Sequence, residues 1–88
     1  MITKKTAEEI VVLREGGAIL GKMLRRLADA ATPGTSTLHL DDLAQEMCEE
    51  YGAKPALLGY HPTFAPTPYP AATCISVNDV VQHGIPSE

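Results

Sequence analysis

Two hydrophobic periods divide the chain. From Ala7 onward Ile10, Leu13, Gly17, Leu20, Leu24, Leu27 and Ala31 recur at steps of three and four, while Arg14, Lys22, Arg25 and Asp29 fall off that line. A period near 3.6 draws one apolar stripe along a helix, predicted here over residues 7–31. Thr6, followed three residues later by Glu9, forms a capping box at its start. Thr32-Pro33-Gly34 stops it, because proline restricts the residue before it and has no N–H to donate. Gly16, Gly17 and Gly21 each cost such a helix about 1 kcal/mol relative to alanine, and close packing against a sheet is the reason expected for them. A second helix is predicted over residues 38–51. Ser36 or Thr37 caps it, Leu40, Leu43, Met47 and Tyr51 face inward, and Gly52 closes it as a left-handed C′ residue.

Beyond Gly52 the period falls to two. Cys74, Ser76 and Asn78 alternate with Ile75, Val77 and Asp79, which predicts a strand near 74–77 with one face buried. A second run near 80–83 carries His83 and ends at Gly84 and Pro86. Residues 56–59 read as a short edge strand because of Pro55. Between them, His61-Pro-Thr-Phe-Ala-Pro-Thr-Pro-Tyr-Pro70 is a loop of polyproline character. The fold class expected is therefore α+β, two helices packed on antiparallel strands. His83, set between β-branched residues and a Gly-Ile-Pro turn, is aimed by its backbone, with Gly84 permitting close approach; such placement marks a site.

Eighty-eight residues make one small domain with a thin core, burying about two-thirds of the surface exposed when unfolded. Apolar content of 44% with 20% charged residues is that of an ordered globular chain. A net charge of −4 and scattered basic residues argue against a direct nucleic-acid site. Lys22, Arg25 and Arg26 come nearest to a patch, and are read as complementing the end of the first helix dipole. No apolar run approaches a membrane span and no signal peptide precedes the first helix, so a cytoplasmic protein without membrane contact is expected.

Cys48 and Cys74 lie in no metal-type spacing and read as free thiols, Cys48 as a small partly buried side chain. A Cys74/His83 nucleophilic pair lacks an orienting third group. Asp41 and Asp42 read as first-turn partners of the helix dipole rather than a metal pair, since neighbours on a helix point apart. Pro62, Pro66, Pro68 and Pro70 lack the flanking basic residue expected of an SH3 ligand.

Several ordered pieces then carry a family resemblance. Thr6-Ala-Glu-Glu-Ile10, Arg14-Glu15-Gly-Gly17, Thr32-Pro-Gly34 with Leu38-His-Leu-Asp41, Gly52-Ala-Lys-Pro-Ala, Gly59-Tyr60-His61, Tyr69-Pro70, Cys74-Ile-Ser-Val-Asn and Val81-Gln-His83-Gly-Ile-Pro86 together resemble the first third of bacterial type I methionine aminopeptidases. The resemblance implies a pita-bread fold, of which residues 1–88 form the N-terminal part of a single catalytic domain. It implies a metalloaminopeptidase that removes the initiator methionine from nascent polypeptides by hydrolysing the first peptide bond. His83 would contact the substrate beside the scissile bond and steady the transition state. Tyr60, Tyr69 and Cys74 match positions lining the methionine pocket, and His61 is matched by the motif. His39 stands where the family usually carries a carboxylate, and is read as structural.

The resemblance also implies two divalent metal ions of the cobalt, manganese, iron or zinc type. Their ligands follow the His-Gly-Ile-Pro motif, so none is expected to be bound by this chain, which would be inactive alone. For the complete enzyme it implies a monomer associated with the ribosome. Pro62 to Pro68 look like an insertion relative to the family, a stiff wall at the pocket mouth. The alternative reading from a different class is a non-catalytic α+β interaction module that binds a peptide end.

Overall fold

The computed structural model describes residues 2–88. Among them the regular secondary structure is two helices, α1 over Ala7–Ala30 and α2 over Thr37–Glu50. Each starts at a hydroxyl cap. Thr6 Oγ1 accepts the Glu9 amide at 3.1 Å, and Ser36 Oγ accepts the His39 amide at 3.0 Å, so Ser36 rather than Thr37 is the second cap. Helix α2 ends in a Schellman turn: the Ala53 amide donates to Cys48 O at 2.8 Å and the Gly52 amide to Glu49 O at 3.2 Å. Gly52 takes φ 68° there, a left-handed conformation that costs a glycine little.

The two helices meet around Met23, Met47 and Cys48, with Ile19, Leu27, Leu43 and Tyr51 packed against them. The contact line on α1 is thus 19, 23 and 27, and differs from the stripe expected. Ile10, Leu13, Leu20 and Leu24 remain between 45% and 59% exposed. Two causes explain the difference: Leu20 and Leu24 sit one step round the helix from the paired line, and Ile10 and Leu13 lie beyond the reach of α2. At about 1.5 Å per residue, the 24 residues of α1 outreach the 14 of α2, and only the C-terminal half of α1 has a partner.

The glycines follow the same logic. A Cβ built at Gly16, Gly17 or Gly21 would meet no atom within 4 Å, so the sheet contact expected to justify them is not present. The basic residues also depart from expectation. The last turn of α1 holds no basic residue; Arg26 instead crosses to α2, donating to Glu50 and, at 3.4 Å, to Tyr51 Oη.

The α+β expectation is overturned. Runs 56–59, 74–77 and 80–83 form no strand, and among the described residues there is no sheet of the kind a pita-bread fold requires. The chain from 54 to 88 is a series of turns and extended connections. Its cross-chain backbone bonds are isolated: Gly59 N to Tyr69 O at 2.9 Å, Tyr69 N to Tyr60 O at 2.7 Å, and Ile75 N to Gly84 O at 2.8 Å. Prolines remove donors along the first pairing, and the left-handed residues Asn78 (φ 54°) and His83 (φ 55°) bend the second out of register. Two short runs with no third partner are marginal as a ladder in any case.

This irregular segment is fastened to α2 at two places. Near the C-terminus, Leu38 N and Thr37 Oγ1 donate to Ser87 O at 2.9 and 3.0 Å, and Ser87 N donates to Thr37 Oγ1 at 2.8 Å. In the middle, Ala71 is 4% exposed, and the amides of Ala72 and Thr73 donate to Asp41. No helix among the described residues is long and apolar enough to cross a membrane.

Candidate functional site

The proline-rich loop folds back on itself. Its base is closed by the Gly59 and Tyr69 amides, and its tip by Ala65 N donating to Pro62 O at 3.0 Å. His61 completes the closure, its Nε2–H donating to Ala65 O at 2.9 Å. Opposite this loop, Ile75 and Gly84 lie so close that a Cβ at position 84 would collide with the Ile75 carbonyl. Glycine there admits the chain's own backbone, where the sequence anticipated a ligand or another chain.

Between the two arms lies a cleft of about 350 Å³. Tyr60, Tyr69, Cys74 and His83 all line it, with Leu57 and Phe64. His61 does not line it, because its ring is engaged in holding the loop. Phe64 was not anticipated by the sequence reading. It is 88% exposed at the cleft mouth, in a loop with no periodicity to flag it. Cys74 is exposed and Cys48 is buried.

His83 occupies the left-handed region, which for a non-glycine residue costs on the order of 1 kcal/mol or more and is enriched at functional positions. Tyr69 is half-buried, and its hydroxyl donates to Thr73 O at 2.8 Å. Burial, followed by the hydrogen bond to Cys74 and the nearby charges of Cys74 and Asp41, pushes the Tyr69 phenol up to about 12. It therefore meets a ligand as a neutral group throughout the neutral range.

Asp41 is the site's hidden support. Expected in the first turn of α2 as a dipole partner, it lies in the second turn and is 2% exposed. Its carboxylate accepts from Thr73 N at 2.8 Å, Ala72 N at 3.1 Å, Gln45 Nε2 at 2.9 Å and the Thr73 hydroxyl. Burial by itself raises this carboxyl, and the hydrogen bonds from Thr73, Gln45 and Ala72 outweigh it, holding the group below its ordinary value. The signal was present in the sequence: Asp41, Ala44 and Cys48 share one face at steps of three and four, so a carboxylate stands in an apolar register.

A second, larger apolar groove of about 480 Å³ runs beside α1, lined by Leu20, Met23, Leu24, Pro55 and Leu57 among others. It holds none of the predicted site residues.

No protein-family model matches the chain. Curated proteins do: methionine aminopeptidase 1 of Mycobacterium tuberculosis is 42% identical over 87 residues, 99% of this chain. Methionine aminopeptidase of Aquifex aeolicus is 45% identical over 80 residues, 91% of this chain, and that of Clostridium acetobutylicum 41% identical over 88. This chain is related to the methionine aminopeptidases. It matches a fragment of them, spanning between 30% and 33% of the length of these relatives.

The residues of this segment do not fit a pair of divalent metal ions. Among the described residues no three His, Cys, Asp or Glu side chains stand together as a metal site, and Asp41 has its carboxylate saturated by four donors. What the segment offers is an apolar cleft with a sulfur, two phenol rings and an imidazole on its wall.

Proposed function

We propose that this cleft receives the side chain of an N-terminal methionine, and that the chain supplies the substrate side of an aminopeptidase that removes the initiator methionine from new polypeptides in the cytoplasm. The observation that carries the reading is the convergence of Tyr60, Tyr69, Cys74 and His83 on one cleft, in a chain 42% identical to a methionine aminopeptidase over 99% of its length. An unbranched thioether suits such walls, since aromatic faces and a polarizable sulfur reward its shape through dispersion. Neutral Tyr69 adds no charge that would have to be desolvated on binding.

His83, held at the cleft edge by a left-handed backbone, is the group available to donate a hydrogen bond where negative charge develops on the carbonyl of the first peptide bond. The residues present bind and orient the peptide end. Hydrolysis is proposed only for a longer protein carrying this segment, and the 88-residue chain is proposed to be inactive by itself.

In such a longer protein, His83→Ala is expected to lower kcat by roughly 10²-fold or more with metal content unchanged, the usual cost of one transition-state donor. KM should change less, because ground-state binding comes from the methionine cleft. Loss of metal in elemental analysis, or full kcat with metal retained, contradicts the role given to His83. Metal-dependent hydrolysis of a Met-Ala peptide by the isolated 88-residue chain contradicts its proposed inactivity.

A further inference from the structure

Asp41 is a desolvated carboxylate that the binding reading leaves without a task. An apolar side chain of similar size would fill this place at a lower desolvation cost, so what a carboxylate adds here is its acceptors. Its partners say what it does. Two of its four donors are the successive amides of Ala72 and Thr73, and a third is the Thr73 hydroxyl. Thr73 in turn accepts the Tyr69 hydroxyl at 2.8 Å through its carbonyl, and Cys74 follows it directly in the chain. A continuous path of hydrogen bonds therefore runs from rigid helix α2, through Asp41 and Thr73, to the wall of the cleft that carries Tyr69 and Cys74. Gln45, one turn along α2, holds the carboxylate from behind at 2.9 Å.

The segment so held has no helix or strand of its own. Downstream it meets the opposite arm through Ile75 N donating to Gly84 O at 2.8 Å, Gly84 N donating to Ser76 Oγ at 3.1 Å, and a long contact of the Tyr69 hydroxyl to Gly84 O at 3.5 Å. These bonds hold residues 75, 76 and 84 together, and on the other side of Cys74 the tie to rigid helix α2 is the one Asp41 makes to residues 72 and 73.

We propose that Asp41 is a positioning residue of the cleft: by fixing the amides of Ala72 and Thr73 against α2 it sets the spacing between the Tyr69–Cys74 wall and the His83 edge. This rests on the methionine-binding reading above. It acts through hydrogen-bond geometry, not through its charge on the ligand, since the carboxylate is buried and its acceptor positions are filled from within the chain.

The test uses the 88-residue chain and the tripeptide Met-Ala-Ser. Asp41→Asn turns one acceptor oxygen into a donor facing donors. It is expected to weaken affinity about tenfold, the loss of a hydrogen bond to a charged group, with helix content by circular dichroism unchanged. The Tyr69 ring resonances should move and the amides of α1 should not. The double variant Asp41→Asn, Gln45→Glu lets the introduced amide donate to the introduced carboxylate while its oxygen still faces residues 72 and 73. Affinity and the Tyr69 ring resonances should then return towards those of the parent chain.

Unchanged affinity and unchanged Tyr69 resonances in Asp41→Asn overturn the proposal, as does a double variant no better than the single one. If the parent chain does not bind the tripeptide, the methionine-binding reading fails by itself. The Tyr69 resonances then decide the positioning role, supporting it if they move in the single variant and return in the double, and overturning it otherwise. Should Asp41→Asn lose its helices, Thr73→Val removes the hydroxyl donor while leaving both amides. Displaced Tyr69 resonances with intact helices support the proposal, and parental resonances overturn it.

Discussion

Residues 7–50 and residues 54–88 satisfy their backbones in opposite ways. The helices close their bonds within a turn, whereas Gly59 reaches to Tyr69, Ile75 to Gly84 and Leu38 to Ser87. The first region also owns most of the core, with Met23, Leu40, Ala44, Met47 and Cys48 buried, while the second buries Ala71 and Pro86. The candidate site lies wholly in the second region. A site on irregular backbone is only as well placed as its tethers, and here those tethers are Asp41 and Thr37, both on α2.

The largest effect is expected where the two helices depend on each other. Met47, 1% exposed in their shared cluster, should cost about 2 to 5 kcal/mol as Met47→Ala, seen as a lower urea midpoint with both helices lost together. If the C-terminal region kept its chemical shifts after the helices melted, the dependence claimed for it would be wrong. Gly84→Ala comes next. Its added methyl meets the Ile75 carbonyl, so a cost of about 1 to 3 kcal/mol is expected, with faster amide exchange at Ile75 and unchanged exchange in α1. Faster exchange in α1 would show that the regions are not separable.

The pH dependence sharpens the comparison from both ends. Asp41, depressed in the folded chain, contributes stability that is present above its ordinary value of 3.8 and is lost as pH falls through the folded value. Acid should therefore release residues 72–73 from α2, and Asp41→Asn should flatten that arm of the profile. Tyr69 works at the other end. Pushed up to about 12, it contributes stability fully present below about 10 and lost as pH rises from there towards about 12, and Tyr69→Phe should remove that slope. An acid profile in Asp41→Asn identical to that of the parent would contradict the first assignment. The smallest effect belongs to Phe64→Ala: at 88% exposed its removal should change stability by less than about 0.5 kcal/mol. A larger loss would place Phe64 in the packing rather than at the cleft mouth.

The sequence made the helices legible because their signals are local. Thr6, Ser36 and Gly52 act on residues within one turn, and α1 and α2 lie within a residue of the expected bounds at each end. What it could not show is which length and which edge of an amphipathic stripe has a partner, so the stripe predicts Leu13, Leu20 and Leu24 inside and leaves out Met23. The strands failed for a related reason. Alternation at 74–79 states which side chains could share a face, but a ladder needs a neighbour in register, and Asn78 and His83 turn the backbone away. The grouping of Tyr60, Tyr69, Cys74 and His83 came from ordered motifs rather than from periodicity. Asp41 is hard to place from sequence because, beside Asp42, it resembles a partner of the helix dipole, while its register with Ala44 and Cys48 is the weaker signal.

The central claim is that the chain receives a methionine side chain in the cleft between the proline loop and the His83 arm. A titration of the 15N-labelled 88-residue chain with Met-Ala-Ser, followed by amide and aromatic shifts, tests it most directly. The account predicts shifts that saturate at Tyr60, Tyr69, Cys74 and His83, with Leu20 and Leu24 in the groove beside α1 unmoved. Saturating shifts at Leu20 and Leu24 with the cleft residues unmoved, or no shift at any residue, would contradict it.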